Sequence, residues 1–281
     1  MNHSITEVQI KKYKDGQIAE SDDILAVEEP LEIKLVHGNK TNRQTTNVSI
    51  TMRTPGNDLE LASGFLFTEG IIHDINQLDI NPVFYSKEIL SNSINIFCKE
   101  RVLIDHKLLQ RNFYTTSACG VCGKASIDAI YTLTDDSKTN NDFAVSKEII
   151  IQLPDLLNQQ QDLFKHTGGI HAAALFNKEG VLLETREDVG RHNALDKLIG
   201  AYFLKSTDEQ MIPNESILLL SGRASFELLQ KAAMAGISII CAVGAPSSLA
   251  VETAKRFGIT LIGFLRNNRF NIYSNPQRIQ L

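Results

Sequence analysis

Two cysteines separated by two residues, Cys119 and Cys122, are the part of the sequence best suited to chemistry. At this spacing the two thiols can reach one atom or each other. A helical pattern begins just after them, and a thiolate near a helix start is favoured by unpaired amides and by a cation such as Lys124. Gly120 and Gly123 give the segment backbone freedom. The pattern predicts a reactive dithiol that attacks sulfur–sulfur or carbon–sulfur bonds.

Other interpretations of the dithiol compete with this one. A structural zinc site would need a second C-x-x-C, which is absent, or histidines from distant segments, namely His166, His171 or His192. A disulfide oxidoreductase usually carries its motif in a compact thioredoxin-like unit, whereas a long α/β region follows it here. The flanking glycines and the helix start argue against a chance pair. The motif alone leaves thiol chemistry and zinc binding open.

The remaining cysteines, Cys98 and Cys241, lie in strand-like apolar runs. Free cysteines in such runs are commonly buried and inert. We therefore predict a structural role for both.

Length and composition restrict the class of protein. A chain of 281 residues forms one large domain or two ordinary ones, and 43% hydrophobic with 22% charged residues is typical of a globular protein. The net charge of −5 gives no general attraction to nucleic acid or to an anionic membrane, so an anionic ligand needs a local cluster of cations. No apolar run approaches the roughly 20 residues of a membrane span, and the N-terminus lacks a secretory pattern. These features predict a cytoplasmic protein.

The elements follow from hydrophobic periodicity. Residues 31–38 and 45–54 alternate as half-buried strands do, and a helix is predicted after Asn57-Asp58. Residues 146–164 resemble a helix with a break or kink near Pro154, because proline lacks an amide proton. From about residue 171 a hairpin and three short apolar strands alternate with helices. This pattern predicts an α/β fold with parallel strands covered on both faces, preceded by a smaller strand-rich part.

Two clusters of polar residues accompany these elements. His166 and His171 flank a pair of glycines, which is either a ligand-binding turn or an ordinary one. The segment EDVGRHNALDK contains Arg191, which could hold a phosphate together with helix-terminal amides. A solvated, charged helix end is the alternative there.

Three segments near the C-terminus follow predicted strands. Ser221-Gly222-Arg223 and the Gly244–Ser248 segment are small-residue turns where an anion could meet amides, although neither has dinucleotide-fold or P-loop spacing. Phe264 to Arg269 supplies an aromatic ring and two arginines, which suit a base and a phosphate. An exposed loop is the alternative for this last segment.

Taken together, seven ordered segments resemble the formate dehydrogenase accessory sulfurtransferase family, FdhD. The resemblance covers most of the chain from Leu61 to Tyr273, and the segments are ASGFLFTEGII, TTSACGVCGKAS, HTGGIHAAAL, EDVGRHNALDK, SGRASFELLQKA, GAPSSLAVETA and GFLRNNRFNIY. The first sixty residues contribute little to it.

The resemblance implies a function and a set of site residues. The family takes persulfide sulfur from a cysteine desulfurase and passes it to the molybdenum bis(molybdopterin guanine dinucleotide) cofactor, which formate dehydrogenase then needs for activity. The persulfide position matches Cys119, with Cys122 assisting. The cofactor-binding stretch matches Phe264, Leu265, Arg266, Asn267, Asn268 and Arg269. Roles for His166, His171, Arg191, His192 and Arg223 are not implied.

The resemblance also implies architecture. We expect a homodimer, a strand-rich α+β domain over residues 1–112, and a cytidine-deaminase-like α/β domain over residues 113–281. Zinc deaminases need H-x-E followed by P-C-x-x-C. Here the C-x-x-C precedes His171, Ala118 replaces the proline, and the glutamate is missing. No catalytic metal is therefore predicted.

Overall fold

A computed structural model describes residues 4–80, 92–100, 102, 104–105, 143–205, 211–213 and 215–281. The dithiol of Cys119 and Cys122, the helix predicted behind it, and the domain boundary at residue 112 lie outside the described residues. No helix within the described ranges is long and apolar enough to cross a membrane.

The N-terminal part is built from strands, as its alternating pattern predicts. Strand β3 alternates fully buried leucine and isoleucine with more exposed polar residues, which is the pattern of a strand with one face on a core. It pairs with β4 antiparallel and with β5 parallel, while β1 and β2 form a separate hairpin. The bounds are β1 Ile5–Lys14, β2 Gln17–Ala26, β3 Glu29–Asn39, β4 Asn42–Arg53 and β5 Ser93–Phe97.

A six-stranded mixed sheet forms the C-terminal part. Its order is β12-β11-β10-β9-β7-β8, where β9, β10 and β11 are parallel neighbours and β7 and β12 run against them. Strands β6 and β13 pair separately. The bounds are β6 Val145–Ser146, β7 His171–Phe176, β8 Leu182–Asp188, β9 Ile217–Leu220, β10 Ile239–Ala242, β11 Thr260–Arg266, β12 Arg269–Ser274 and β13 Ile279–Gln280.

Helices cover both faces of this sheet, so the mixed α/β class predicted from the sequence is confirmed. The helices of one face, α4 to α6, bury an aliphatic core against β7, β9 and β10, and α2 buries Ile150, Leu153 and Leu157 on the other face. Among the described residues the helices are α1 Asp58–Thr68, α2 Lys147–Gln160, α3 Asp162–Thr167, α4 Arg191–Phe203, α5 Phe226–Met234 and α6 Ser248–Arg256.

The break predicted near Pro154 is placed wrongly. Helix α2 runs through Pro154 without interruption, and the chain leaves the helix only at Gln161, before α3 begins. Leu153 and Leu157 on either side of the proline are fully buried, and this packing outweighs the loss of one backbone hydrogen bond.

The N-terminal and C-terminal parts meet where α1 crosses α4. Gly64 of α1 and Gly200 of α4 lie at the crossing, and an alanine Cβ at either position would overlap a backbone carbonyl oxygen of the other helix, that of Asp196 or of Glu60. Only a residue without a side chain permits this approach. This close contact holds the N-terminal part against α4. The first turn of α4 lies just after the end of β8.

Candidate functional site

One edge of the six-stranded sheet gathers most of the polar segments found in the sequence. Strands β8, β9, β10 and β11 end at this edge, and the antiparallel β7 begins there. His171 is therefore paired with Asp188, and the turns after Leu220, Ala242 and Arg266 lie alongside them. Carboxyl ends of parallel strands are the usual ligand site in such sheets. We call this the carboxyl edge.

The two small-residue turns at the carboxyl edge are hydrogen-bonded to each other. The amide of Gly244 donates to the carbonyl of Gly222 at 2.9 Å, Ala224 N–H donates to Ala245 at 3.2 Å, and Ser247 N–H donates to Ala224 at 3.0 Å. These amides are therefore already satisfied, and they are not the free anion donors that the sequence suggested. An anion at this edge is therefore not met by these three amides.

A cavity of about 580 Å³ opens at the carboxyl edge on the α2 side. Its walls come from α2, from the segment that links α3 to β7, and from the β11–β12 hairpin. The size suits a nucleotide-sized ligand. The lining residues are Pro154, Asp155, Leu157, Asn158, Gln161, Phe164, Gly168, Gly169, Ile170, His171, Ser221, Val243, Leu265, Arg266 and Asn267.

The glycine pair of the HTGGIH segment forms a turn at the end of α3 and also lies at the cavity, and its ligand-binding role stays a prediction. Gly168 ends α3 in the left-handed region, with φ of +64°, and donates its amide to Phe164 at 2.7 Å. Gly168 and Gly169 also line the cavity, whereas His166 is exposed on α3 and does not. Glu187 fixes this wall, because its carboxylate accepts the amides of Leu163 and Phe164 at 3.0 Å each.

The β11–β12 hairpin contains the segment 264–269 and forms one wall of the cavity with Leu265, Arg266 and Asn267. Arg266 pairs with Arg269 across a two-residue turn, and Asn267 and Asn268 both have positive φ, 52° and 56°. Asparagine tolerates this conformation, which a type I′ hairpin turn requires. The geometry of the turn is therefore enough to explain why two asparagines stand here, and no ligand contact is needed to explain them.

A bulge precedes this turn and places a strained residue at the site. The register of β11 against β12 shifts between Gly263 and Arg266, and Phe264 has a φ of 54° although it is not glycine. Its amide donates to the carbonyl of Gly244 at 3.0 Å, which holds the conformation. Positive φ at an aromatic residue costs about 1 to 3 kcal/mol and is concentrated at functional sites.

Of the six residues predicted for cofactor binding, the structure places three in the wall of the cavity. Leu265, Arg266 and Asn267 line the cavity, with Leu265 buried in the core. Phe264, Asn268 and Arg269 are in the hairpin but do not line it. Their binding roles remain predictions.

Four arginines that have no partner among the described residues collect at the carboxyl edge. Within the part of the chain that the structure describes, Arg43, Arg53, Arg186, Arg256 and Arg278 all make polar contacts. The arginines that make no hydrogen bond or ion pair to a described residue are Arg191, Arg223, Arg266 and Arg269. Each follows or ends a strand at this edge or lies in its hairpin. In a chain of net charge −5, this is a local excess of cations suited to an anionic ligand.

His171 lies among these cations. Gly222 packs against its ring, so that a Cβ there would be 3.2 Å from His171 Nδ1. Burial, together with the positive charges of Arg191, His192 and Arg223, lowers the pKa of His171 below its usual value. His171 is therefore neutral at pH 7 and able to accept a proton or a hydrogen bond.

His192 lies on the first turn of α4 and pairs with the start of α5. Its Nε2 is 3.2 Å from Ser225 Oγ and 3.8 Å from Glu227 Oε2. The His192 ring beside Glu227 lowers the pKa of that carboxyl to about 2. Glu227 is thus ionised at neutral pH and is held against His192 at the start of α5.

Most other charges of the EDVGRHNALDK segment are structural. Asp188 is fully buried and receives Lys197 Nζ at 2.7 Å, the amide of Gly190 at 2.8 Å and the amide of Thr54 at 3.2 Å. Lys197 also donates to the carbonyl of Thr54 at 2.8 Å. These bonds join the end of β4 to α4, so sequence spacing alone overestimated the number of ligand-binding charges in this segment.

The two cysteines outside the dithiol motif are buried, as predicted. Cys98 and Cys241 are free thiols with no exposed surface. Burial raises the pKa of Cys98 to about 11 and raises that of Cys241 further. Both are therefore thiols at neutral pH, which makes them poor nucleophiles.

Sequence reasoning missed three polar residues of the cavity, of which Gln161 is buried at the end of α2. Asp155 and Asn158 lie on the exposed side of α2, and both line the cavity. Asp155 is the only carboxylate among the lining residues, and it makes no hydrogen bond or ion pair with described residues. On an amphipathic helix a solvent-facing aspartate carries no signal of its own, so only the fold could reveal it.

Comparison with known proteins places the chain in a family. Residues 26–280 match the family model described as FdhD/NarQ family. The sulfur carrier protein FdhD of Streptomyces avermitilis is 44% identical over 97% of this chain and 95% of its own length. The proteins of the same name from Sulfolobus acidocaldarius and Mycobacterium tuberculosis are 43% and 42% identical over 99% of this chain, and over 99% and 100% of their own lengths.

A solved structure shares the fold. The crystal structure of a candidate formate dehydrogenase accessory protein from Desulfotalea psychrophila superposes with a TM-score of 0.70, covers 99% of this chain and 100% of its own, and is 24% identical. At that identity the likeness supports the fold alone. The family model and the relatives above 40% identity, which extend over nearly the whole chain, show that this chain belongs to the FdhD/NarQ family.

Proposed function

We propose that this protein is a sulfur carrier that accepts persulfide sulfur from a cysteine desulfurase and delivers it to the molybdenum bis(molybdopterin guanine dinucleotide) cofactor for formate dehydrogenase. Membership of the family and the names of its relatives support sulfur carriage. The observation that carries the cofactor assignment is the carboxyl edge itself. A cavity of nucleotide size lies there beside four arginines that have no partner in the part of the chain that the structure describes. The cofactor is a polyanion that ends in guanine nucleotides.

Cys119 is the proposed sulfur-carrying residue. Its thiolate attacks the terminal sulfur of the desulfurase persulfide, a new sulfur–sulfur bond forms on Cys119, and the desulfurase cysteine leaves as a thiolate. Cys122 assists at the same dithiol. Cys98 and Cys241 are excluded from this role by burial and by their raised pKa values.

Sulfur loading tests this assignment. After incubation with a cysteine desulfurase and cysteine, intact-mass spectrometry should show one added sulfur atom on the wild-type protein and none on Cys119→Ala. Cys241→Ala is the matched control and should load like wild type, because its thiol is inaccessible. Equal loading of Cys119→Ala and wild type would remove Cys119 from the mechanism.

The cavity is proposed to hold a guanine nucleotide portion of the cofactor. Guanine presents two adjacent N–H groups on its Watson–Crick edge, and a carboxylate can accept both. Asp155 is the carboxylate that the cavity offers, at the wall formed by α2. The hairpin with Arg266 and Asn267 forms the opposite wall. In this arrangement Asp155 selects guanine, whereas adenine has an acceptor in place of the ring N–H.

Substitution of Asp155 by asparagine should weaken GDP binding by about 10- to 100-fold, as expected for a hydrogen bond to a charged group. Weak binding of ADP should not change, so the preference for GDP is reduced. Isothermal titration calorimetry measures both nucleotides. Asp162→Asn is the matched control, because this aspartate is exposed on the neighbouring α3 and does not line the cavity. An unchanged GDP preference in Asp155→Asn would place the base elsewhere.

The remaining expectations belong to the same proposal. They are a cytidine-deaminase-like arrangement of the domain over residues 113–281, a strand-rich domain over residues 1–112, a homodimer, action in the cytoplasm, and no catalytic metal. The protein's partners are then the desulfurase, the formate dehydrogenase and the cofactor, and nucleic acid and membranes are not among them.

A further inference from the structure

We infer that Arg191 and Arg223, on the α4–α5 side of the carboxyl edge, form a binding site for the diphosphate of a nucleoside diphosphate. This inference rests on the proposed function and extends it, because it assigns the phosphates to residues outside the α2-side cavity. Arg191 begins α4, and Arg223 lies in the turn between β9 and α5. We call this pair, with His171 beside it, the arginine site.

The clearest sign of a missing acceptor is the guanidinium of Arg191. Its Nε is buried from solvent and has no hydrogen-bond partner among the described residues. A buried donor without an acceptor costs about 1 to 3 kcal/mol, so native structures rarely retain one without a ligand or a function. Arg223 is exposed and likewise makes no polar contact with described residues.

Backbone contacts link the turns that carry the two arginines to His171. Gly222 lies against the ring of His171, and Gly244 lies so close to Arg223 that a Cβ there would be 3.0 Å from Arg223 Cγ. His171 is paired with Asp188, three residues before Arg191. The positive charges of both arginines contribute to the lowered pKa of His171, which agrees with their placement at the same edge of the sheet.

Nearby carboxylates do not neutralise the arginine site. Asp188 is paired with Lys197 at 2.7 Å, and Glu227 is paired with His192 at 3.8 Å. The guanidinium groups of Arg191 and Arg223 therefore have no carboxylate partner among the described residues, and His171 lies beside them. Guanidinium groups bind phosphate oxygens bidentately, and two of them suit a diphosphate better than a single phosphate.

The arginine site also adjoins the α2-side cavity. His171 lines that cavity and at the same time packs against Gly222 beside Arg223. A nucleotide whose base lies near Asp155 can thus extend its phosphates over the sheet edge toward Arg223 and Arg191.

Calorimetry with guanosine, GMP, GDP and inorganic pyrophosphate tests the arginine site on the full-length protein. Wild type should bind GDP more tightly than guanosine, and added salt should reduce this difference. Arg191→Gln and Arg223→Gln should each lower GDP affinity by about 10- to 100-fold and leave guanosine affinity unchanged. Because Arg191 Nε has no described partner, thermal stability of Arg191→Gln should match wild type. Lys255→Gln, which removes an exposed cation from the far end of α6, is the matched control and should bind GDP like wild type.

The outcomes separate this inference from the proposed function. If Arg191→Gln and Arg223→Gln bind GDP like wild type while Asp155→Asn binds it more weakly, the assignment of the phosphates to the arginine site is wrong. The assignment of the base to the cavity is then still supported. If pyrophosphate binds wild type but not the arginine variants, the phosphate assignment is supported independently of the base. If wild type binds neither GDP nor pyrophosphate, the nucleotide part of the proposed function and the arginine site both fail.

Discussion

Replacing Gly200 with alanine is expected to destabilise the whole protein severely. An alanine in a helix interior normally adds about 1 kcal/mol of stability relative to glycine. Here the new methyl group would overlap the backbone carbonyl of Glu60 in α1, and a backbone cannot move aside as a flexible side chain can. The helices would have to separate, and we expect a loss of about 3 kcal/mol or more. Differential scanning calorimetry should then show the melting temperature falling by about 6 to 12 °C.

The reciprocal contact supplies a second test of the same crossing. Gly64→Ala meets the carbonyl of Asp196 and should be destabilising to a similar degree. Gly169→Ala is the control for stability, because the nearest atom to its Cβ would be 3.7 Å away. A melting temperature for Gly200→Ala equal to that of wild type would contradict the close crossing of α1 and α4.

Replacing Lys197 with methionine is the second change of large expected effect. It leaves the Asp188 carboxylate buried without its cation, and breaking a buried pair in this way costs about 3 to 5 kcal/mol. Whole domains are stable by only about 5 to 15 kcal/mol, so much of the protein's stability would be lost. Urea denaturation at pH 7 measures the change in the free energy of unfolding.

The same variant should show a characteristic pH dependence. Burial already raises the pKa of Asp188 in the folded state although Lys197 opposes this, and removing Lys197 raises it further above the unfolded value of about 3.9. A group of raised folded pKa stabilises the folded state fully below its unfolded pKa and loses this contribution as the pH rises through the folded pKa. The deficit of Lys197→Met relative to wild type should therefore shrink as the pH is lowered from 7 toward 4.

Lys205→Met is the control for this change. Lys205 pairs with Glu184 at 3.3 Å, but 68% of its side chain is exposed, and such surface pairs contribute about 1 kcal/mol at most. A Lys197→Met protein no less stable than Lys205→Met would show that the buried pair is not needed for the fold.

Local patterns in the sequence predicted the elements of the fold well. The alternation around Ile33, the helix after Asn57 and the apolar strands near Leu218 and Ile240 all appear where periodicity places them. The β1–β2 hairpin was not anticipated, because its strands carry few buried residues and thus little hydrophobic signal. The break predicted near Pro154 was wrong because a proline in the sequence indicates the loss of one backbone hydrogen bond. It does not indicate that the neighbouring side chains are buried.

The candidate site was predicted only in part, because several of its contacts join residues that are far apart in the sequence. Residue type indicated Arg191, Arg266 and the glycine pair, but not which charges are already paired. Lys197 contacts Asp188 and also Thr54, which lies more than a hundred residues earlier, whereas Arg191 Nε has no partner among the described residues. Asp155 gave no local signal, and it joins the site only because α2 packs beside the carboxyl edge.

The most direct test of the central claim is to follow labelled sulfur from Cys119 to the cofactor. Wild-type protein loaded with isotopically labelled sulfur is mixed with the guanylated molybdenum cofactor and apo-formate dehydrogenase, and both the label on the cofactor and formate oxidation are measured. We predict that the label appears on the cofactor and that activity follows, with Cys241→Ala equal to wild type and Cys119→Ala inactive in both readouts. Full activation by Cys119→Ala, with no label passing through the protein, would contradict the claim that it carries sulfur.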